Sequence, residues 1–324
     1  MAKKRVLITG GAGFIGSNIT DELIARGYKA VIIDNLSTGL KEHINPKARF
    51  IKGDIKKADD IEKCFKEKID VIFHIAGCAS TIKSFDDPIQ DLRTNVAGTV
   101  NIINAAVKHR VKRIIYASSM TAYGIPESVP VKESMKTAPI SYYGITKYAG
   151  ERYIMATGER TDLPFRINTT AFRMFNVYGR RQSLTNPYQG VVSIFIGNAA
   201  RNENIAVFGD GKQSRDYIHI SDAADAWIKA IDAEAAFGKV FNLGSGTRVS
   251  VNRLIKMILK GFGKNPAKYR INHKPARPGD QRHMQADISP VKRALKWKPK
   301  VSFENGLNDV IKWAEETYNF PEKK

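Results

Sequence analysis

Two cysteines in 324 residues, Cys64 and Cys78, are too few for a disulfide framework, and neither stands in a CxxC spacing. The six histidines are scattered, with no HExxH pair, so the sequence offers no structural zinc site and predicts no metal. No apolar run approaches the roughly 18–20 residues that cross a bilayer. Glycines interrupt the apolar stretch behind the basic start Met1-Ala-Lys-Lys-Arg before a signal-peptide core forms. These absences predict a cytoplasmic protein without membrane contact. Acid is also scarce, with 32 Asp+Glu against 52 Lys+Arg and a formal charge of +20. A basic surface attracts anions, nucleic acids included. The cations are spread out, however. The densest stretches are Lys3-Lys4-Arg5, Lys56-Lys57 and the basic residues between 292 and 300, and none is a block of five like charges. The charge is read as a solvated surface with some pull on anionic metabolites, and no nucleic acid is expected.

What the sequence has is an ordinary globular balance, 43% hydrophobic and 9% aromatic, and a clear rhythm. Short β-branched runs at 6–9, 30–33, 49–52, 71–75, 113–117 and 169–172 alternate with helical patterns at 15–26, 61–66, 89–109 and 143–155. Strands separated by helix-length segments predict βαβ units and a mainly parallel sheet, with ligands at the carboxyl ends of the strands. After about Asn176 the rhythm loosens. Gly- and Pro-bearing loops at 178–188, 209–211 and 277–279 separate shorter elements, with helical patterns at 221–231, 251–259 and 303–317. Residues 1–175 are therefore expected to form one α/β domain and 176–324 a smaller, looser α/β region added to it. Segments near 213–235 are expected to pack back onto the first domain.

Between the first strand and first helix lies Gly10-Gly-Ala-Gly13-Phe-Ile-Gly16. Glycine suits a tight turn, a backbone that must approach a pyrophosphate, and a helix packed closely on a strand. The helix N-terminus then offers free N–H groups to the anion. This placement predicts a Rossmann-type doubly wound fold. The second strand ends at Asp34, about twenty residues beyond Gly16, where a carboxylate can accept from both ribose hydroxyls. It would repel a 2′-phosphate, and Asn35 rather than a cation follows, so NAD is favoured over NADP. Asp54, at the end of the third strand, is placed to reach adenine.

Tyr143 and Lys147 stand one helical turn apart on a single face. A free phenol, with a pKa near 10, is a poor base at neutral pH. A neighbouring ammonium and an oxidised nicotinamide both favour the phenolate, so Tyr143 is expected to ionise with help from Lys147. Tyr142 and Tyr148 lie on other faces, without a lysine one turn on. The fifth strand runs into Ser118-Ser119-Met-Thr121, which puts hydroxyls where substrate should lie.

At this point the chain resembles the extended short-chain dehydrogenases/reductases, and within them the UDP-glucose or UDP-N-acetylglucosamine 4-epimerases. The resemblance spans nearly the whole chain. It rests on Thr9-Gly-Gly-Ala-Gly-Phe-Ile-Gly16, Asp34-Asn-Leu-Ser-Thr-Gly39, His74-Ile-Ala-Gly77, Thr94-Asn-Val-Ala-Gly-Thr99, Ser118-Ser119, Tyr123-Gly124, Tyr143 with Lys147, Phe172-Arg-Met-Phe-Asn-Val-Tyr-Gly179, Gly209-Asp-Gly-Lys-Gln-Ser-Arg-Asp-Tyr217 and Arg277-Pro-Gly-Asp280. It implies C4 epimerisation of a UDP-hexose through a transient 4-keto sugar, with Ser119, Tyr143 and Lys147 as the catalytic set. It further implies that Gly10, Gly13, Phe14, Ile15, Gly16, Asp34, Asn35, Asp54, Ile55, Ala76 and Asn95 surround NAD. Thr121, Asn176, Arg215, Arg277 and Asp280 would then meet the nucleotide sugar, with Ala206 and Phe208 near the uracil and Met284 on the sugar pocket. A homodimer through helices near 88–109 and 143–156 is implied in the same way. Dehydratases and decarboxylases that resemble this chain carry acid after the catalytic hydroxyl, where Met120 and Thr121 stand here. A 4-ketoreductase remains a third reaction on the same scaffold. A dinucleotide-sensing or RNA-binding protein is the non-enzymatic alternative, and retention of the Tyr143–Lys147 pair counts against it.

Overall fold

The β-branched runs of the first half fold side by side in a computed structural model that describes residues 3–188, 190–276 and 281–318. They form β1 (Arg5–Thr9), β2 (Lys29–Asp34), β3 (Arg49–Lys52), β4 (Val71–His74), β5 (Arg113–Ser119) and β6 (Asn168–Met174). Helices α1 (Phe14–Ala25), α2 (Ala58–Glu62), α3 (Thr81–Asp86), α4 (Pro88–Leu92), α5 (Gly98–Lys108) and α6 (Tyr142–Gly158) lie between them. β4 and β5 are buried along their whole length. That is the pattern of a parallel sheet covered on both faces, and it explains why these strands read as continuous apolar runs rather than alternating ones. The helical pattern at 89–109 divides into α4, a π-turn over Arg93–Ala97, and α5.

The second half supplies β7 (Asn176–Tyr178), α7 (Val191–Ala200), β8 (Ile205–Phe208), β9 (Ser214–Arg215), β10 (Tyr217–His219), α8 (Ile220–Lys229) and β11 (Lys239–Leu243). Then follow β12 (Val249–Ser250), α9 (Val251–Gly261), β13 (Ile271–Lys274), α10 (Ser289–Leu295) and α11 (Phe303–Thr317). The main sheet has seven parallel strands in the order β11-β6-β5-β4-β1-β2-β3. From β1 the chain winds outward one way through β2 and β3, and the other way through β4, β5, β6 and β11. The switch between β1 and β4 is where such sheets open a crevice. β11 was not among the expected strands. It arrives late in the chain and is set beside β6 with Lys239 opposite Thr170.

One face of the sheet packs Val6, Ile8, Phe73 and Phe172 against α1 and α8, with Trp227 fully buried between Phe73 and Phe172 at 5.2 and 5.5 Å between ring centroids. The other face packs Leu7, Ile72 and Ile114 against Ile102 of α5 and Ile154 of α6. A separate core joins Phe195 and Ile196 of α7, Leu254 and Ile258 of α9, and Leu307 and Ile311 of α11. Among the described residues no helix is long and apolar enough to cross a membrane.

Candidate active site

The glycine turn is a cradle that side chains would fill. Gly10 has φ +71, and a Cβ on it would come within 2.9 Å of the Ala76 backbone. A Cβ on Gly16 would come within 2.2 Å of the Gly10 carbonyl, which no adjustment of a side chain relieves. Gly13 begins α1 without a side-chain cap, so the first N–H groups, around Phe14 and Ile15, are left for an anion. Asp34 closes the next turn and is held at both oxygens. Oδ2 accepts from the Ala12 N–H at 3.0 Å and Oδ1 from the Leu36 N–H at 2.8 Å, which leaves further lone pairs on each oxygen. Asn35 donates to Asp54 at 3.2 Å, and Ile55 is buried beside them. A phosphate cradle followed by a fixed carboxylate fits a dinucleotide such as NAD.

Across the β1–β4 switch lies the hydroxyl cluster. Ser119 ends β5, and its Oγ accepts from the Thr121 N–H at 3.2 Å and the Thr121 hydroxyl at 2.9 Å. With those lone pairs taken, the Ser119 hydroxyl keeps its proton to give, and the Tyr143 phenol lies near enough to be influenced by it. Burial pushes Tyr143 above the ordinary phenol range, the charges of Asp91 and Cys78 add to that, and the Ser119 hydrogen bond opposes it. The Lys147 ammonium sits over the Tyr116 ring, 4.4 Å from its centroid, and burial prevails at Tyr143. Lys147 is 4% exposed, and burial pushes it down to about 8 against the upward pull of Asp91, Cys78 and Glu151.

The loop facing these groups is fixed by a chain of neutral hydrogen bonds. The Thr99 hydroxyl donates to the Asn95 carbonyl at 2.7 Å, so its oxygen accepts from His74 Nε2 at 2.9 Å. His74 Nδ1 then accepts from the Thr9 hydroxyl at 2.8 Å, and the Thr9 oxygen accepts the N–H groups of Ile75 and Ala76, each at 3.0 Å. Burial, with Lys147 nearby, pushes His74 down to about 3 and keeps it neutral. Asn95 is 1% exposed and its amide is used within the protein. It accepts from the Cys78 N–H at 2.8 Å and donates to the Cys78 carbonyl, Asp91 and Thr146. Further along α6, Glu151 accepts two bonds from Arg173 at 2.7 and 3.0 Å and one from Ser118 at 2.7 Å. Burial works against the Arg173 charge, yet Glu151 raises its pKa overall.

Sequence reasoning missed Asp91, Thr146, Glu151 and Arg173 as parts of this site. Spacing carried a signal, because Asp91 precedes Asn95, and Glu151 follows Lys147, by one helical turn.

The residues expected to meet the nucleotide sugar stand on short ribbons of the second half. Ala206 and Phe208 lie on β8 beside β13, with the Lys274 ammonium 5.8 Å from the Phe208 ring centroid. Arg215 lies on β9 beside β12, and Asn176 donates to the Asp216 carbonyl at 2.9 Å. Asp216, between β9 and β10, is fully buried and fixes the loop after β11, accepting from the Ser245 N–H and hydroxyl, each at 2.7 Å, and from the Gly246 and Ala286 N–H groups at 3.0 Å. Arg277 and Asp280 lie outside the described residues. Met284 is fully enclosed with Tyr123, Val131, Phe175 and Ala286, beneath the surface rather than on it. A cavity of about 690 Å³ lined by Leu163, Phe165 and Phe237 lies at the amino ends of β6 and β11, away from this chemistry. Among the described residues no group of His, Cys, Asp and Glu is arranged to hold a metal ion.

The model of the NAD dependent epimerase/dehydratase family matches residues 6–244. The chain is 35% identical over 315 residues to UDP-glucose 4-epimerase of Mycolicibacterium smegmatis, covering 95% of this chain and 98% of the relative. Among solved structures it resembles the UDP-glucose 4-epimerase of Thermotoga maritima with UDP-glucose (TM-score 0.88, 34% identity, 97% of this chain and 99% of that one). It also resembles the UDP-N-acetylglucosamine 4-epimerase of Methanobrevibacter ruminantium in complex with UDP-N-acetylmuramic acid (TM-score 0.89, 33% identity, 98% and 100%).

Proposed function

The chain belongs to the NAD dependent epimerase/dehydratase family, and from that premise we propose that it is a UDP-sugar 4-epimerase inverting C4 of a UDP-hexose through a transient 4-keto sugar. The observation that carries this reading is Tyr143 beside the Ser119 hydroxyl and one turn from buried Lys147, across the sheet switch from a glycine cradle that side chains would fill. Gly10, Gly13 and Gly16, with Phe14 and Ile15, would hold the pyrophosphate of NAD. Asp34 and Asn35 would hold the adenosine ribose, Asp54 and Ile55 the adenine, and Ala76, Asn95 and Lys147 the nicotinamide side. Bound NAD supplies a reversible hydride acceptor and a positively charged ring. Tyr143 takes the proton from the sugar O4 and returns it after the ring has turned over. Ser119 holds the phenolic oxygen and the sugar oxygen on one line, and Thr121 sets the direction of the Ser119 proton.

The substrate would lie against the second half, so that residues 1–175 serve the cofactor and 176–324 mainly the nucleotide sugar. Burial lowers His283, and the neighbouring Arg248, Arg282 and Arg215 lower it further. That concentration of cations supports a diphosphate anchor at Arg215, with Arg277, Asp280 and Asn176 alongside and Ala206 and Phe208 at the uracil. Met284 would shape the sugar pocket from underneath. Met120 and Thr121 supply no acid for elimination or decarboxylation, which disfavours the dehydratase and decarboxylase readings.

Incubation with UDP-galactose and UDP-N-acetylgalactosamine, without added reductant, is expected to give C4 epimers by NMR. Tyr143→Phe should lower kcat by roughly 1,000-fold. A 4-keto-6-deoxy product, or a fully active Tyr143→Phe, would overturn the assignment. A homodimer belongs to the same reading. Phe85, Ile89, Leu92 and Ile145, each about half exposed, line adjoining α3, α4 and α6, an apolar face suited to a second copy of the chain. Analytical ultracentrifugation should find a dimer, with Ile89→Asp monomeric; a monomeric wild type rejects it.

A further inference from the structure

The reaction above leaves one buried carboxylate without a role. Asp91 is 2% exposed and lies near the end of α4, just before the π-turn. It accepts from the Thr146 hydroxyl and, at 3.2 Å, from the Asn95 amide. Both donors are neutral. Thr146 sits between Tyr143 and Lys147 on α6 and also reaches the Tyr143 carbonyl at 3.2 Å. Asn95 and the Lys147 ammonium both approach Gly77, where a Cβ would lie 2.7 Å from Asn95 Oδ1 and 3.6 Å from Lys147 Nζ. Asp91 is therefore a buried anion bonded only to neutral groups, one residue removed from a buried cation and one hydrogen bond from the turn that carries the phenol. A carboxylate so placed needs a counter-charge, and Lys147 is the charged group that acts on it.

Resting on the epimerase reading, we propose that Asp91 is a positioning residue that sets the pH range in which the Tyr143–Lys147 pair works. Its charge pulls protons toward both members. It is the foremost group holding the ammonium on Lys147 against burial, and it also opposes ionisation of Tyr143. The other groups facing the pair differ in kind. Cys78, from the loop after β4, and Glu151, from α6 itself, act in the same direction on Lys147; His74 of β4 is neutral, and Tyr116 of β5 presents a ring face. Burial raises Asp91 itself, and its bonds from Thr146 and Asn95 oppose this, so its influence fades only as it becomes protonated at acid pH.

With NAD bound, whose positive ring would favour the phenolate, activity should rise with pH as Tyr143 ionises and fall as Lys147 loses its proton. In Asp91→Asn both limbs of this bell should move toward acid by about one pH unit, whereas Asp91→Glu, which keeps the charge, should return them. A structural role would lower the bell without moving it, and that result overturns the proposal. Asp91→Ser serves the same comparison if the Asn variant does not fold. A readout independent of turnover is the tyrosinate absorbance titration of the protein, taken as the difference from the same background carrying Tyr143→Phe. The Tyr143 component should appear at lower pH in Asp91→Asn, and an undisplaced component overturns the proposal. A wild type that epimerises no UDP-sugar defeats the functional reading, while the tyrosinate titration still decides the role of Asp91.

Discussion

The two halves of the site are held in opposite ways. On the side proposed for the cofactor, Asp34, His74, Asn95, Lys147 and Glu151 stand at or beside the carboxyl ends of strands in a seven-stranded sheet, nearly all fully buried, with Asp34, His74, Asn95 and Glu151 hydrogen-bonded within the protein. On the side proposed for the substrate, Asn176, Ala206, Phe208 and Arg215 stand on ribbons only two strands wide and are partly exposed. Proton and hydride transfer tolerate little misplacement, and a continuous sheet with satisfied hydrogen bonds supplies that fixity. A pocket that must accept a sugar before and after inversion gains from shorter elements that can adjust. The difference teaches that rigidity has been placed where bonds change and adaptability where the ligand is gripped.

The buried Arg173–Glu151 pair of the first half and the exposed Arg180–Asp309 pair of the second test this contrast most severely. Both are forked, with Arg180 Nε 2.9 Å from Asp309. Arg173→Met should cost about 3–5 kcal/mol in urea unfolding, because Glu151 is left as an uncompensated buried charge. Arg180→Met should cost under about 1 kcal/mol. Equal losses would break the comparison. Next in size is Gly16→Ala, whose methyl would strike the Gly10 carbonyl. NAD affinity measured by calorimetry should fall roughly 100-fold, with little change in affinity for a UDP-sugar. Loss of both together would mean that the halves are not independent.

The smallest effect concerns pH. His74 titrates near 6.5 when unfolded but is pushed down to about 3 in the fold. Between those values the unfolded chain binds the extra proton, so stability falls as pH falls through this window. The slope is on the order of 1.4 kcal/mol per pH unit. Urea titrations at pH 7, 6 and 5 should show that dependence in the wild type and its loss in His74→Asn. An unchanged slope would mean that His74 is not the neutral link between β1 and α5.

Much of this was legible before folding, in places where the physics is local. β1, β2, β4, β5 and β6 were readable because strands buried on both faces become largely unbroken β-branched runs. Tyr143 and Lys147 were readable because one helical turn puts them on one face. β11 was not, since Lys239-Val-Phe-Asn-Leu mixes a charge and an amide into its run. Its Asn242 is fully buried only because Tyr123, Val131 and Glu133 come from elsewhere to bond it. Asp91 escaped notice for a related reason: its one-turn spacing from Asn95 is local, but its loss of water and its meeting with Thr146 of α6 are not.

The amino-acid sequence by itself determined the backbone of the site. The Gly10–Gly16 cradle, the helix that follows it and the alternation of strand and helix depend on torsions and contacts within a few residues. Only the tertiary structure decided the charges. Whether Tyr143 holds its proton, whether His74 stays neutral and how tightly Lys147 keeps its own depend on water removed by distant segments and on partners those segments bring. Solvation and Coulomb energies are summed over space, and the order of residues along a chain does not contain that sum.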